Sequence, residues 1–454
     1  MTEADAYYNK MTKTSLTKLI VSLGIPTTIS MLVTNLYNMA DTYFVGTLGE
    51  SPQAATGILF TLQAIIQAIA FMLGQGSGTM VSKALADRNE KEASEYVSTG
   101  FFASVGFGVL LMILGLIFLT PFMRLLGSTE TILPYAKQYG MCVLISCPVT
   151  MGSFVLNNNL RYEGQSFYAM IGLVTGGFLN IFGDYILIRR LQMGVLGAGI
   201  STAVSQFISF FILLYFFRRM AQSKIRLSAI SKRGVVYATI SKVGFPALIR
   251  QGLSSFSSGL LNNLTRPYGD TAIAAMSVVN RFSAFVMCVG LGIGQGYQPV
   301  AAFNYQAKEY KRVKKGLLIT MGVGFVFVAC LAIPGLIFAE QIVYVFQKHE
   351  EVIEIGVFAL RCACVGTMFL PLSVPVNMLF QSIRKAGLSS FLSLMRSGLM
   401  FIPTLLITTH FLGLTGIQIS QPLADVFTGL ISIPFVIAVL RFEYPQDISV
   451  RSSK

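Results

Sequence analysis

Long apolar runs, each long enough to cross a membrane as a helix, alternate along this chain with short gaps rich in charge, glycine or proline. A helix needs about 20 mostly apolar residues to cross a bilayer. Twelve such runs fall at roughly 17–46, 53–82, 96–120, 131–156, 166–188, 195–217, 237–262, 272–303, 316–338, 354–380, 388–410 and 415–440. In lipid a run of this length must satisfy its own backbone hydrogen bonds, so helix is the expected state. The short alternating strands of an outer-membrane barrel are absent. The first run follows a polar stretch containing Asp5, Lys10 and Lys13. It is too long for the apolar core of a cleavable leader, so an uncleaved first span is expected. The pattern predicts an all-α polytopic membrane protein.

The chain also repeats itself. At an offset of 220, Pro26 matches Pro246, Ala54-Ala55 matches Ala274-Ala275, Gly74-Gln75-Gly76 matches Gly294-Gln295-Gly296, and Lys91 matches Lys311. Further on an offset of 223 pairs Pro148 with Pro371, Arg161 with Arg384 and Gly164 with Gly387. An offset of 219 then pairs Gly194 and Gly197 with Gly413 and Gly416. The expected organisation is an N-lobe of helices 1–6 (residues 1–217), a cytoplasmic linker (218–236) and a C-lobe of helices 7–12 (237–454). Six is even, so both copies enter from the same side, related by an axis along the membrane normal. Two pseudo-symmetric lobes around a central cavity point to a transporter.

Composition agrees with this pattern. Hydrophobic residues make up 54% of the chain and charged residues only 12%, against about 25% charged in soluble domains. An ordinary soluble enzyme is thereby excluded. The formal net charge is +14, which in a soluble chain would suggest nucleic acid. Here the basic residues gather in alternate gaps. Three lie at 10–18, three at 83–91, one at Arg161, seven at 218–242 and five at 308–315. Arg384, Lys385, Arg441, Arg451 and Lys454 complete 24 of the 34. The outer gaps hold Arg124, Arg189, Arg190, Arg266 and Lys348. This asymmetry places both termini in the cytoplasm and sets the basic segments against anionic membrane lipid. No nucleic-acid partner is expected.

A few charges interrupt the apolar runs: Asp41, Asp184, Asp425, Arg250, Arg281, Arg361 and Arg396. Each costs about 2.5–3.5 kcal/mol at a bilayer centre, so each is a functional candidate. Counting at ~1.5 Å per residue from the neighbouring turns at Gly49 and Leu191, Asp41 and Asp184 both sit about 10–12 Å below the outer surface. Asn180 lies one turn deeper on the face of Asp184. Thr202, past the turn, is level with Asn180. Two carboxylates, an amide and a hydroxyl thus share one layer. Oxygen-only ligands suit protons and hard cations. Two neighbouring carboxylates in a low dielectric do not both ionise readily. The set Asp41, Asn180, Asp184 and Thr202 is therefore expected to hold a proton, or a Na⁺ that neutralises the pair. Pro26 removes a backbone hydrogen bond within the first run and provides a hinge below Asp41. The bland expectation for the second copy is that Arg396 or Arg250 ties to Asp425. The sharper one is that Arg250 faces the cavity and receives an anionic substrate group.

Other chemistry is absent. No phosphate-binding G-x-x-x-x-G-K-[ST] loop and no H-E-x-x-H helix occur. The six cysteines fall in spans, and Cys362 and Cys364 point to different helix faces, so neither a disulfide framework nor a metal site is expected. Without an ATPase motif, transport would draw on ion gradients.

Several of these residues also carry a resemblance. The stretch Leu36-Tyr37-Asn38-Met39-Ala40-Asp41-Thr42-Tyr43-Phe44-Val45-Gly46 resembles the first-helix motif of the MATE (multidrug and toxic compound extrusion) transporters. Gly292-Ile293-Gly294-Gln295-Gly296-Tyr297-Gln298-Pro299 with Phe303-Asn304-Tyr305 resembles their eighth helix, and Asn180-Ile181-Phe182-Gly183-Asp184 their fifth. The likeness covers nearly the whole chain and is nearest the prokaryotic DinF/MepA-like branch. It implies a non-enzymatic, multi-pass protein of the prokaryotic plasma (inner) membrane. This protein would export amphipathic, often cationic compounds in exchange for H⁺ or Na⁺ by rocking alternating access, with no other cofactor. A monomer is expected. The resemblance makes Asp41, Asn180, Asp184 and Thr202 the cation site and places Tyr37, Tyr139 and Asn157 on the N-lobe cavity. Two positions depart from family patterns: Arg250-Gln251 stands where some branches carry an acid, and Tyr185, not proline, follows Asp184. The alternative within the superfamily is a flippase for a lipid-linked oligosaccharide or other anionic amphiphile. A membrane-embedded enzyme or receptor would need a loop larger than the roughly 20 residues at 218–237.

Overall fold

The structure is a computed structural model that describes residues 3–346 and 349–441. Arg451, Lys454 and Lys348, counted above among the basic residues, lie outside the described residues. Helices α1 (Glu3–Lys13), α2 (Leu16–Gly46), α3 (Glu50–Ala86), α4 (Glu90–Ile117), α5 (Leu119–Leu125), α6 (Leu133–Tyr162), α7 (Ser166–Asp184) and α8 (Gly194–Met220) precede the linker. Helices α9 (Gly234–Thr265), α10 (Gly269–Gln306), α11 (Tyr310–Ile337), α12 (Ala339–Phe346), α13 (Glu350–Thr367), α14 (Leu370–Ser382), α15 (Ala386–Leu394), α16 (Phe401–Leu412) and α17 (Leu414–Arg441) follow it. Wide π-turns extend α7 at Tyr185–Arg190 and join α15 to α16 at Met395–Leu399. No strand occurs among the described residues.

Ten stretches are long and apolar enough to span a membrane, and one of them, Gly234–Gln306, holds both α9 and α10. The pair α13 and α14, bent by 47°, makes one broken span. Counting these accordingly gives the twelve spans expected. The break was not expected. Pro371 opens α14, where its missing N–H costs no helical bond. Helix α1 is also additional, and Tyr7 and Met11, one turn apart, form its buried face.

Local sequence explains the short turns. Asn89 caps α4 by accepting from the Glu92 N–H at 3.1 Å, and its side-chain amide donates to Glu92 Oε2 at 3.1 Å. The repeat shows at the ends of these helices. Arg88 and Lys308 both adopt positive φ, 58° and 62°, and both follow the 220 offset. The same offset continues further than expected. Gly164 (φ 72°) corresponds to Arg384 (φ 63°). The following N–H groups, Gln165 and Lys385, bond to Leu160 O and Phe380 O, each at 2.8 Å. Asn157 donates to Ala169 O and Asn377 to Ser389 O, each at 3.0 Å. The 223 pairings of Arg161 with Arg384 and of Gly164 with Gly387 are therefore replaced. The 219 offset holds at Gly194 and Gly413, with φ 62° and 59°.

The chain forms two compact units. One comprises residues 25–255, the other residues 1–24 with 256–454. Their boundaries fall inside α2, next to Pro26, and inside α9, rather than in the linker. Glycine packing accounts for this division. In the first unit α9 lies against α3 so closely that a Cβ on Gly244 would meet Met72 O at 1.8 Å, and one on Gly76 would meet Ile240 O at 2.0 Å. In the second unit a Cβ on Gly296 of α10 would meet the Gly24 backbone at 2.5 Å. Gly24 and Gly244, like Gly76 and Gly296, are partners at the 220 offset.

In the 25–255 unit α6 is the central helix, with Tyr139, Cys147, Met151, Val155 and Leu160 buried along it. The linker, residues 221–233, is sewn to α4 by hydroxyls. Lys224 N donates to Ser94 Oγ at 3.0 Å, Arg226 N to Ser98 Oγ at 3.1 Å and Ser231 N to Thr99 Oγ1 at 2.9 Å. In the other unit Val328, Ala332, Val343, Leu360, Cys364 and Phe401 form the apolar core. All six cysteines are free thiols.

Candidate cation site

The 25–255 unit buries a polar layer between α2, α6, α7 and α8. Asp41, Tyr139, Asn180, Asp184 and Thr202 are each 6% exposed or less. Tyr139 Oη donates to Asp41 Oδ2 at 2.7 Å and lies 3.2 Å from Thr202 Oγ1. Asn180 Nδ2 donates to Thr202 Oγ1 at 3.1 Å. The tyrosine has one hydrogen, given to the carboxylate, so Thr202 supplies the hydrogen between the two hydroxyls. The chain therefore runs Asn180 to Thr202 to Tyr139 to Asp41. Ser201 anchors it by donating to Asn180 O at 2.8 Å.

This arrangement exhausts its donors before its acceptors. Asp41 Oδ1, Asn180 Oδ1 and both carboxylate oxygens of Asp184 are buried with no hydrogen-bond partner. The charges of Asp41 and Asp184 act on one another. Buried acceptors without donors cost about 1–3 kcal/mol each, more when charged. A proton shared between two of these oxygens, or a hard cation taking several of them as ligands, relieves that cost. Immediately after Asp184 the helix widens into the Tyr185–Arg190 π-turn, a feature frequent at functional sites.

Beside this layer is a cavity of about 30 Å³ lined by Tyr37, Gln63, Gln67, Thr150, Thr202 and Gln206, among others. Tyr37 thus lies on the cavity, whereas Tyr139 is part of the polar layer. Asn157 ties α6 to Ala169 of α7. Pro26 sits in an unbroken helix, its carbonyl accepting from Ser30 Oγ at 2.9 Å. Arg250 belongs to the same unit and donates to Gln75 Oε1 at 3.2 Å. Its charge acts on Arg161. In the other unit Arg396 Nε meets Asp425 Oδ1 at 2.8 Å, and Gln421 donates to the same oxygen at 3.0 Å. The expected tie to Asp425 is thus made by Arg396, not Arg250. Arg281 is exposed.

Among the described residues the second copy carries no equivalent carboxylate layer. At the 220 offset Asp41 is replaced by Leu261 and Tyr139 by Ala359, both in the apolar core. Ser201 and the Gln63–Gln67 wall are the residues the sequence did not single out. The i, i+4 spacing of the two glutamines was the available signal.

Residues 26–186 and 246–407, one stretch from each copy, match the MatE family profile. The chain belongs to the MatE family. It is 26% identical to the multidrug export protein MepA of Staphylococcus saprophyticus over 458 residues, covering 98% of each. It is 25% identical to MepA of Staphylococcus aureus (strain MSSA476) over 454 residues, covering 99% of each. Among solved structures, MATE in complex with MaL6 matches with a TM-score of 0.90 at 25% identity, covering 97% of this chain and all of that one. MATE in the straight conformation matches with a TM-score of 0.89 at 25% identity over 95% and 99%. This MatE chain is accordingly a multi-pass membrane transporter, not an enzyme.

Proposed function

We propose that this MatE protein exports amphipathic, often cationic compounds in exchange for H⁺ or Na⁺ by alternating access. Export of several drugs is what the name of the MepA relatives states. The observation that carries the coupling is the set of four buried, unpartnered oxygens on Asp41, Asn180 and Asp184. Thr202 and Tyr139 hold this set in register. Cation binding from outside neutralises the layer, favours bending of α2 near Pro26, and displaces substrate. The protein works in the inner membrane with both termini in the cytoplasm.

Liposomes with separately imposed proton and sodium gradients test this. Efflux of a cationic dye driven by one gradient and lost in Asp41→Asn, with normal expression and folding, is the expected result. Wild-type efflux in Asp41→Asn removes the carboxylate mechanism.

One observation favours a second reading, transport of an anionic amphiphile such as a lipid-linked oligosaccharide. Arg161 is buried and Arg250 half-buried in the 25–255 unit, and the charge of Arg250 acts on Arg161. Loss of anionic-dye export in Arg250→Ala with cation export intact supports that reading. Unchanged export of both sinks it.

A further inference from the structure

Within the unit of residues 1–24 and 256–454, the turn joining α1 to α2 and the first turns of α11 enclose a cavity of about 330 Å³. Its wall carries Lys13, Lys311, Arg312 and Lys315. Lys311 and Lys315 are four apart and share one face of α11. The four cations have different tasks. Arg312 is already engaged, donating to Asn304 Oδ1 at 3.1 Å, to Thr14 O at 2.7 Å and to Met11 O at 3.3 Å. It closes the end of α1 onto α11. The three lysines are exposed, and none has an ion-pair partner among the described residues. The acid whose charge acts on Arg312 is Glu309, so positive charge predominates at the mouth.

Like charges gathered around one cavity repel, and a bound anion relieves that repulsion. Lysine ammonium groups bind phosphate as point charges. The remaining wall includes apolar Leu16 and Ile319, which begin the spanning parts of α2 and α11. A cationic mouth over an apolar wall suits a molecule with a phosphate at one end and hydrocarbon at the other. The geometry points to a site for the phosphate of an anionic phospholipid headgroup between Lys13 and the Lys311–Lys315 face. It is separate from the carboxylate layer and does not depend on what the protein exports.

The test uses the full chain in detergent, mixed with vesicles of phosphatidylcholine with and without phosphatidylglycerol, and separately with inorganic phosphate. Native mass spectrometry counts retained lipid, and thermal unfolding reports stabilisation. Three lysines at about 1 kcal/mol each predict roughly hundredfold weaker phosphatidylglycerol binding in the Lys13→Gln, Lys311→Gln, Lys315→Gln triple variant. The triple arginine replacement restores it. Size-exclusion profiles check folding, and the single Lys315→Gln variant serves if the triple one misfolds. Equal retention by the wild type and a folded Gln variant overturns the site. Stabilisation by inorganic phosphate but not by phosphatidylglycerol assigns the pocket to a soluble phosphate and overturns the lipid.

Discussion

Tyr139 reaches from α6 to donate its hydroxyl hydrogen to Oδ2 of Asp41 on α2, 2.7 Å away. This is the donor that Asp41 receives within the layer, and it stabilises the ionised carboxylate. A hydrogen bond to a charged group contributes about 1.5–3 kcal/mol. Tyr139→Phe is therefore expected to tighten binding of a coupling proton about tenfold to hundredfold and to slow its release. Substrate turnover falls while folding is retained. Ion titration of dye efflux in liposomes measures both. Unchanged proton affinity in Tyr139→Phe would mean that Asp41 does not load a proton.

The contact of α9 with α3 leaves no room for a methyl group. A Cβ on Gly244 would meet the carbonyl oxygen of Met72 at 1.8 Å, and backbone cannot yield as a flexible side chain can. Gly244→Ala is expected to lower stability by about 1–3 kcal/mol. A Cβ on Gly252 of the same helix would have no neighbour within 4 Å, so Gly252→Ala is neutral. Thermal unfolding in detergent compares the two.

Arg396 and Asp425 form a partly buried tie, strengthened by Gln421. Breaking such a pair on one side costs about 3–5 kcal/mol, while replacing both members with apolar residues of similar volume is often neutral. Asp425→Leu alone is expected to unfold early. Arg396→Met with Asp425→Leu recovers stability and exports dye normally. Failure of the double variant to export, despite normal stability, would give the pair a role in transport.

The linker bears a pH-sensitive contact. Glu163, capping α6, accepts from Gln222 N at 2.5 Å and Ser223 N at 3.3 Å, and also from Ser223 Oγ. Burial pushes its carboxyl up from 4.5 to about 7, against the lowering effect of these donors. A carboxyl raised in the folded state binds its proton more firmly there than when unfolded. Its stabilising contribution is present below about pH 4.5 and is lost as pH rises through about 7. Amide protection in residues 221–225, with exchange corrected for its intrinsic base catalysis, is expected to fall from about pH 5 to pH 8. Glu163→Gln flattens that dependence. A pH-independent protection factor in the wild type would remove the titration from this contact.

The twelve spans were legible because lipid forces long uncharged runs into helix. Asp41 and Asp184 stood out because a charge in such a run is costly and calls for a partner or a role. Tyr139 did not stand out by itself: tyrosine is common in spans, and its bond to Asp41 crosses 98 residues of sequence. The tie of Arg396 to Asp425 was anticipated only as one of two pairings, since spacing cannot rank partners on separate helices. The 223 offset failed because matching Arg, Gly and Pro outweighed the turn geometry, which pairs Gly164 with Arg384. The unit boundaries inside α2 and α9 follow from backbone contacts at Gly24 and Gly244, and one glycine among 42 carries no mark of what it touches.

The carboxylate layer occurs once, and Leu261 and Ala359 occupy the corresponding places in the second copy. This asymmetry bears on stoichiometry. On the proposed coupling, one layer loads per transport cycle, whatever the second copy does mechanically. Each elementary charge moved through 100 mV supplies about 2.3 kcal/mol, enough for roughly a fiftyfold concentration ratio. A second layer carrying its own charge would multiply that ceiling by the same factor. Duplication doubled the helices of this chain and left the carboxylate layer single.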